Sequence, residues 1–220
     1  MTLPTSRRLM LAHILSLVVA GVVLPLAQAA GPTEALDARV QRFLDGARNQ
    51  WADWNVPYED GKALHDLIVK NHFRRALEIG TSTGHSGIWI AWALSQTGGT
   101  LITIEIDKAR YDTAVRNFEK AGVASYVDAR LADAHQLVKE LKGPFDFVFS
   151  DADKEWYTQY FMDIDSKLVV GGCYTAHNVL RSGGRGVEEF LAYVKSLPNY
   201  RTRIDRSSSE GISISCKVAK

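Results

Sequence analysis

From residue 75 onward, short apolar runs alternate with stretches spaced like amphipathic helices. The runs predict strands near 75–79, 100–105, 125–130, 145–150 and 169–175. The segments between and after them predict helices near 85–97, 108–121, 134–142, 154–166 and 184–196. Strand–helix repetition of this kind implies a parallel sheet with helices on both faces. The C-terminal end departs from it. Tyr200 to Arg206 and Gly211 to Val218 read as strands joined only by Ser207-Ser208-Ser209-Glu210. So short a link suits an antiparallel pair and is too short for a parallel crossover. Upstream, residues 33–48 (Leu36, Val40, Phe43, Leu44) and Tyr58 to His72 (Leu64, Leu67, Ile68) carry helical spacing. The aromatic stretch between them, with Trp51, Trp54 and Pro57, is expected to pack against the sheet edge rather than cover a ligand. The fold expected is α/β and Rossmann-like: a mostly parallel seven-stranded sheet with an antiparallel C-terminal strand pair.

The chain is organised around Ala76-Leu-Glu-Ile-Gly-Thr-Ser-Thr-Gly-His-Ser-Gly87. A buried strand ends in Gly80, passes through a polar turn to Gly84, and enters a helix. That geometry brings backbone N–H groups and a positive helix end up to a ligand. Gly80 can take positive φ and leaves room for close approach. The glycine spacing is not the G-x-G-x-x-G of a dinucleotide site, because Ser82 stands where its second glycine belongs. An acid before the first glycine, Glu78, suits instead a ligand that presents a cation, such as the amino group of an amino-acid-like moiety.

Two further clusters fall at the same sheet edge. Glu105 ends the second strand, 25 residues after Gly80. An acid there accepts hydrogen bonds from ribose hydroxyls in mononucleotide-binding units, and Asp107 is placed to cap the following helix. The strand from Phe145 runs into Asp151, Asp153 and Lys154, and the next runs into His177-Asn178. Asp151, His177 and Asn178 are positioned to converge on one cation, since carboxylate, imidazole and amide oxygen all serve as ligands.

Composition bounds the rest. The 220 residues, 46% hydrophobic and 23% charged, suit one globular domain over residues 30–220. A net charge of +1 with no basic run gives no nucleic-acid footprint. Residues 1–29 differ: Arg7 and Arg8, an apolar stretch from Leu9 to Leu26, then Ala27-Gln28-Ala29. This reads as a cleaved export signal with a twin-arginine-like start, hence a periplasmic destination. The alternative is a membrane anchor, the only membrane contact the chain suggests. Cys173 and Cys216 are the sole cysteines. They are expected either to bridge, as an oxidising compartment permits, or to sit as small buried hydrophobes.

Taken together, LEIGTSTGHS, LITIEID, FVFSDADKEWY and AHNVLRSG resemble, in order and spacing, the cation-dependent O-methyltransferases that use S-adenosylmethionine (AdoMet). That group contains catechol and caffeoyl-CoA O-methyltransferases, and the likeness covers about residues 55 to 220. The resemblance implies a class I methyltransferase fold and transfer of a methyl group to a hydroxyl of a small catechol-like or phenolic acceptor. It implies that Glu78, Gly80, Ser82, Gly84 and Ser86 hold the amino-acid end of AdoMet. Glu105 would bind the ribose, Asp133 would lie near the adenine, and Asp151 would border the same site. Asp151 and Asn178 match metal ligands, and Lys154 matches the family's general base. One departure stands out: the family has Asp-Asn where this chain has His177-Asn178. Magnesium and calcium prefer oxygen, whereas imidazole suits zinc, manganese, iron or nickel. Either the metal preference has shifted or the site is weak or lost. Arg181 also stands where an aromatic is frequent. The rival readings are a non-catalytic AdoMet- or nucleotide-binding protein with a degenerate metal site and, more weakly, an NAD-dependent oxidoreductase. A homodimer is left open.

Overall fold

The computed structural model describes Met1 and residues 32–51, 53–180 and 184–220. The export-signal reading of residues 1–29 and the reading of Arg181 lie outside the described residues. Two helices come first, α1 (Pro32–Gly46) and α2 (Tyr58–Asn71). The alternating part follows: β1 (Arg75–Ile79), α3 (His85–Thr97), β2 (Thr100–Glu105), α4 (Lys108–Ala121), β3 (Val127–Leu131), α5 (Ala134–Glu140), β4 (Phe145–Ser150), α6 (Tyr157–Asp165), β5 (Leu168–His177) and α7 (Gly184–Ser196). The strands β6 (Tyr200–Asp205) and β7 (Ile212–Lys217) close the chain.

The sheet has seven strands in the order β3-β2-β1-β4-β5-β7-β6. The five from β1 to β5 pair in parallel. β7 inserts antiparallel between β5 and β6. Short boundaries shift from expectation. β3 begins at Val127 after a single 3-10 turn, and a second such turn at Lys154–Trp156 precedes α6 where one continuous helix was expected. β5 runs on through His177, so that residue is part of the sheet rather than of the loop after it.

Alternation along each strand sorts side chains between two apolar layers. Leu77, Ile79, Val148, Tyr174 and Ala176 face α5, α6 and α7. Ala76, Phe147, Phe149, Cys173 and Ile214 face α2 and α3. A third cluster joins α1, α3 and α4 through Val40, Leu44, Trp89, Ala114 and Phe118. The same period-2 rule puts Glu78, level with Ala76, and His177, level with Cys173, on the α2–α3 side. Both polar positions of interest are thereby aimed into helices.

Cys173 and Cys216 stand opposite each other on β5 and β7 and are joined as a disulfide. Of the two readings open from sequence, the bridge holds. Closing 43 residues of chain lowers denatured-state entropy by about 4 kcal/mol in the chain-entropy account.

Candidate active site

The carboxyl ends of β1, β2 and β4 surround a cavity of roughly 400 Å³. Its lining includes Gly80, Ser82, Glu105, Asp133 and Asp151, five of the residues nominated from sequence. It also includes Trp54, Ile106, Arg110 and His135, which were not nominated. Trp54 corrects the expectation that the early aromatics pack against the sheet edge: it is 82% exposed and lines the cavity. Trp51 packs on the helices rather than the sheet edge, stacking on His85 of α3 with ring centroids 4.6 Å apart. Ile106, 66% exposed directly after Glu105, was legible as an apolar residue placed beside a polar strand end.

Gly80 is required by the sheet itself. Its φ is +97°, and a Cβ there would lie 2.8 Å from the Asp151 backbone oxygen. The room expected for a ligand is thus taken first by the end of β4. Ser82 adopts φ 48° and donates its backbone N–H to Glu105 Oε2 at 2.7 Å. Glu105 Oε1 accepts from the Asp107 N–H at 2.9 Å and from Arg110 Nε at 3.3 Å. A carboxylate has about four acceptor positions, so Glu105 keeps capacity for a ligand while being fixed in place. Asp107 caps α4 as expected, accepting from the Arg110 N–H at 2.9 Å. Asp133 does the same for α5 through the His135 N–H, also at 2.9 Å.

Glu78, Gly84 and Ser86 lie behind this lining. Glu78 is fully buried. Thr103 Oγ1 donates to its Oε2 at 2.5 Å, and Oε1 has no hydrogen-bond partner among the described residues. Burial pushes its pKa up to about 8; the Ser86 and Thr103 hydroxyls oppose the rise, and the Asp151 and Glu105 charges add to it. A buried acid with an open oxygen is matched to a ligand cation. Gly84, with φ +97°, lets α4 approach, since a Cβ would meet Phe118 and Ala114.

At the β4–β5 end the side chains satisfy one another. Lys154 Nζ donates to Asp151 Oδ1 at 2.5 Å. His177 Nδ1 lies 3.2 Å from Asp151 Oδ2, an ion-pair contact rather than an aligned hydrogen bond. On its other side, His177 Nε2 lies 2.8 Å from Asp60 Oδ2. Asp60 also accepts from Ser208 Oγ at 2.7 Å. Asn178 turns its amide to Glu210, donating to Oε2 at 3.0 Å from a φ of 55°. Burial alone would lower the His177 pKa, but the Asp151 and Asp60 carboxylates lift it to about 9. Burial works against the Asp151 carboxylate, yet His177 and Lys154 outweigh it and hold its pKa below the usual value.

Asp151, His177 and Asn178 were expected to converge on a cation. In the structure His177 lies against Asp151, and Asn178 donates to Glu210 of the β6–β7 turn. Among the described residues no group of three or more His, Cys, Asp or Glu side chains is arranged to hold a metal ion. Asp60 was missed from sequence, although a signal existed: it lies four residues before Leu64 on the inward stripe of α2, an acid at a core position.

Residues 35–190 match a family described as O-methyltransferase. The chain belongs to the O-methyltransferase family. Its members are AdoMet-dependent enzymes. This O-methyltransferase is 40% identical over 149 residues to a catechol O-methyltransferase of Niastella koreensis, covering 64% of this chain and 67% of that one. Over 143 residues it is 32% identical to caffeoyl-CoA O-methyltransferase 1 of Zea mays, covering 62% of this chain and 55% of that one. It therefore spans little more than half the length of its plant relatives. Among solved structures, the Bacillus cereus O-methyltransferase in complex with SAH matches at TM-score 0.70 and 26% identity, over 82% of this chain and 91% of that one. TomG of Streptomyces achromogenes, an O-methyltransferase in complex with SAM, matches at 0.68 and 27%, over 84% and 90%.

Proposed function

We propose that this chain transfers a methyl group from AdoMet to a hydroxyl of a small catechol-like or phenolic acceptor. The observation that carries the reading is the pairing of Glu105, on the cavity wall with spare acceptor capacity, with Glu78, buried behind the glycine turn with one oxygen open. The first suits ribose hydroxyls and the second an amino-acid ammonium. Ligands named for the solved relatives, SAH and SAM, carry both groups. The acceptor class is supported by the names of the catechol and caffeoyl-CoA relatives.

When bound, AdoMet supplies a methyl group made electrophilic by its sulfonium. The protein's part is to orient the acceptor oxygen, take its proton and exclude water. Lys154 is the group assigned to take that proton. Asp151, which lines the cavity, accepts from its nitrogen, and that nitrogen also sits 5.1 Å above the Tyr157 ring. Trp54 offers a broad apolar face at the cavity mouth for an aromatic acceptor. Export from the cytoplasm remains part of the proposal: the basic-then-apolar N-terminus supports it, and the Cys173–Cys216 bridge fits an oxidising compartment. AdoMet must then reach that compartment.

Calorimetric titration with AdoMet, SAH and NAD tests the cofactor. Binding of AdoMet and SAH without NAD is the expected result. A folded protein that binds none of them, or only NAD, overturns the reading.

A further inference from the structure

The departure at position 177 has a structural counterpart. In the resemblance drawn from the sequence, Asp151 and the residue now His177 belong to the metal position. Here the imidazole lies between two carboxylates, with Nδ1 3.2 Å from Asp151 and Nε2 2.8 Å from Asp60. Lys154 Nζ takes the other oxygen of Asp151 at 2.5 Å. His177 is 3% exposed and Asp60 fully buried, so this bridge is part of the packed interior. It is fixed from three directions. β5 aims His177 toward α2, α2 presents Asp60 on its inward stripe, and the β6–β7 turn ties Asp60 through Ser208. Ser208 Oγ in turn accepts from the Glu210 N–H at 3.0 Å. A divalent ion that displaced His177 from Asp151 would leave a buried charged imidazole with one partner fewer, which is costly. Imidazole in place of a carboxylate also suits magnesium and calcium poorly, because those ions prefer oxygen ligands.

We propose that the Asp60–His177–Asp151–Lys154 chain replaces the divalent cation in this protein, so that the site is closed by its own side chains and methyl transfer needs no metal. His177 acts as a positioning residue: it holds Asp151, which holds Lys154. The inference rests on the methyltransferase reading for its consequence in turnover, whereas its structural content, a site closed to metal, stands apart from turnover.

The test uses the full chain, stripped with EDTA and saturated with SAH, titrated calorimetrically with MgCl2, MnCl2 and ZnCl2. No one-to-one binding tighter than about 1 mM is expected. In parallel, methyl transfer from AdoMet to 3,4-dihydroxybenzoate is expected to be the same with and without EDTA. One-to-one binding in the micromolar range that Asp151→Asn abolishes overturns the inference, as does activity lost to EDTA and restored by metal. If no acceptor is methylated, the functional reading fails, and the metal titration still decides this one. His177→Asp is expected to gain MnCl2 binding, seen as a rise in melting temperature, because the imidazole bridge becomes a third carboxylate. Should that variant not fold, His177→Asn, which removes the bridge without adding charge, is expected to bind MnCl2 at least tenfold more tightly than the native chain. A folded variant with no gain counts against His177 as the group that keeps metal out.

Discussion

Glu78 lies near the end of β1 and Asp151 just beyond the neighbouring β4; the first carboxyl is fully buried and the second keeps 13% of its side-chain surface exposed, yet the protein treats them oppositely. Around Glu78 the helices and strands supply hydroxyls but no cation, so burial wins and the group is pushed up to about 8. Around Asp151 they supply His177 and Lys154, which overcome burial and keep the carboxylate charged. Burial alone therefore does not set the state of an acid; the partner across from it does. At one end of the site the fold leaves an electrostatic demand for a ligand to meet. At the other it has met the demand with its own side chains.

The comparison is broken most severely at Lys154. Lys154→Ala is expected to lower turnover by about 10²- to 10⁴-fold, with AdoMet affinity measured by calorimetry within a few-fold of the native value. Equal loss of both would show that Lys154 belongs to cofactor binding rather than to proton transfer.

His177→Ala strips the closed end of its bridge and leaves Asp60 and Asp151 buried without it. A loss of about 3–5 kcal/mol in urea unfolding at pH 6 is expected. The folded pKa of His177 is raised from 6.5 to about 9, so its stabilisation is complete below pH 6.5 and fades as pH rises through 9. The variant's deficit should shrink accordingly at pH 9. A deficit that does not change with pH would show that packing, not charge, is what His177 contributes.

The smallest effect sharpens the open end. If Glu78 meets the AdoMet ammonium, it must give up the proton that burial makes it keep near neutrality. Titrations at pH 7 in buffers of different ionisation enthalpy should show release approaching one proton per AdoMet. Glu78→Gln should abolish the release and weaken binding. No release by the native chain would mean that Glu78 is already ionised before the cofactor arrives.

Much of this was written locally in the chain. The period-2 runs, the helical spacing and the short Ser207–Glu210 link specified the elements and the antiparallel end, because such patterns depend on neighbours a few residues apart. Glu105 after β2 and the glycine turn after β1 were legible for the same reason, as each belongs to a strand end. In the structure, where β5 extends through His177, strand alternation also sets the side of the sheet to which Glu78 and His177 point. The sequence could not say what they would meet there. Asp60 and His177 are 117 residues apart, and only the docking of α2 against β5 brings them together. Cys173 and Cys216 likewise became a bridge only through the register of β5 on β7. The acid–imidazole–acid chain is a product of tertiary packing, since its charges are compatible with burial only when all its members arrive at once.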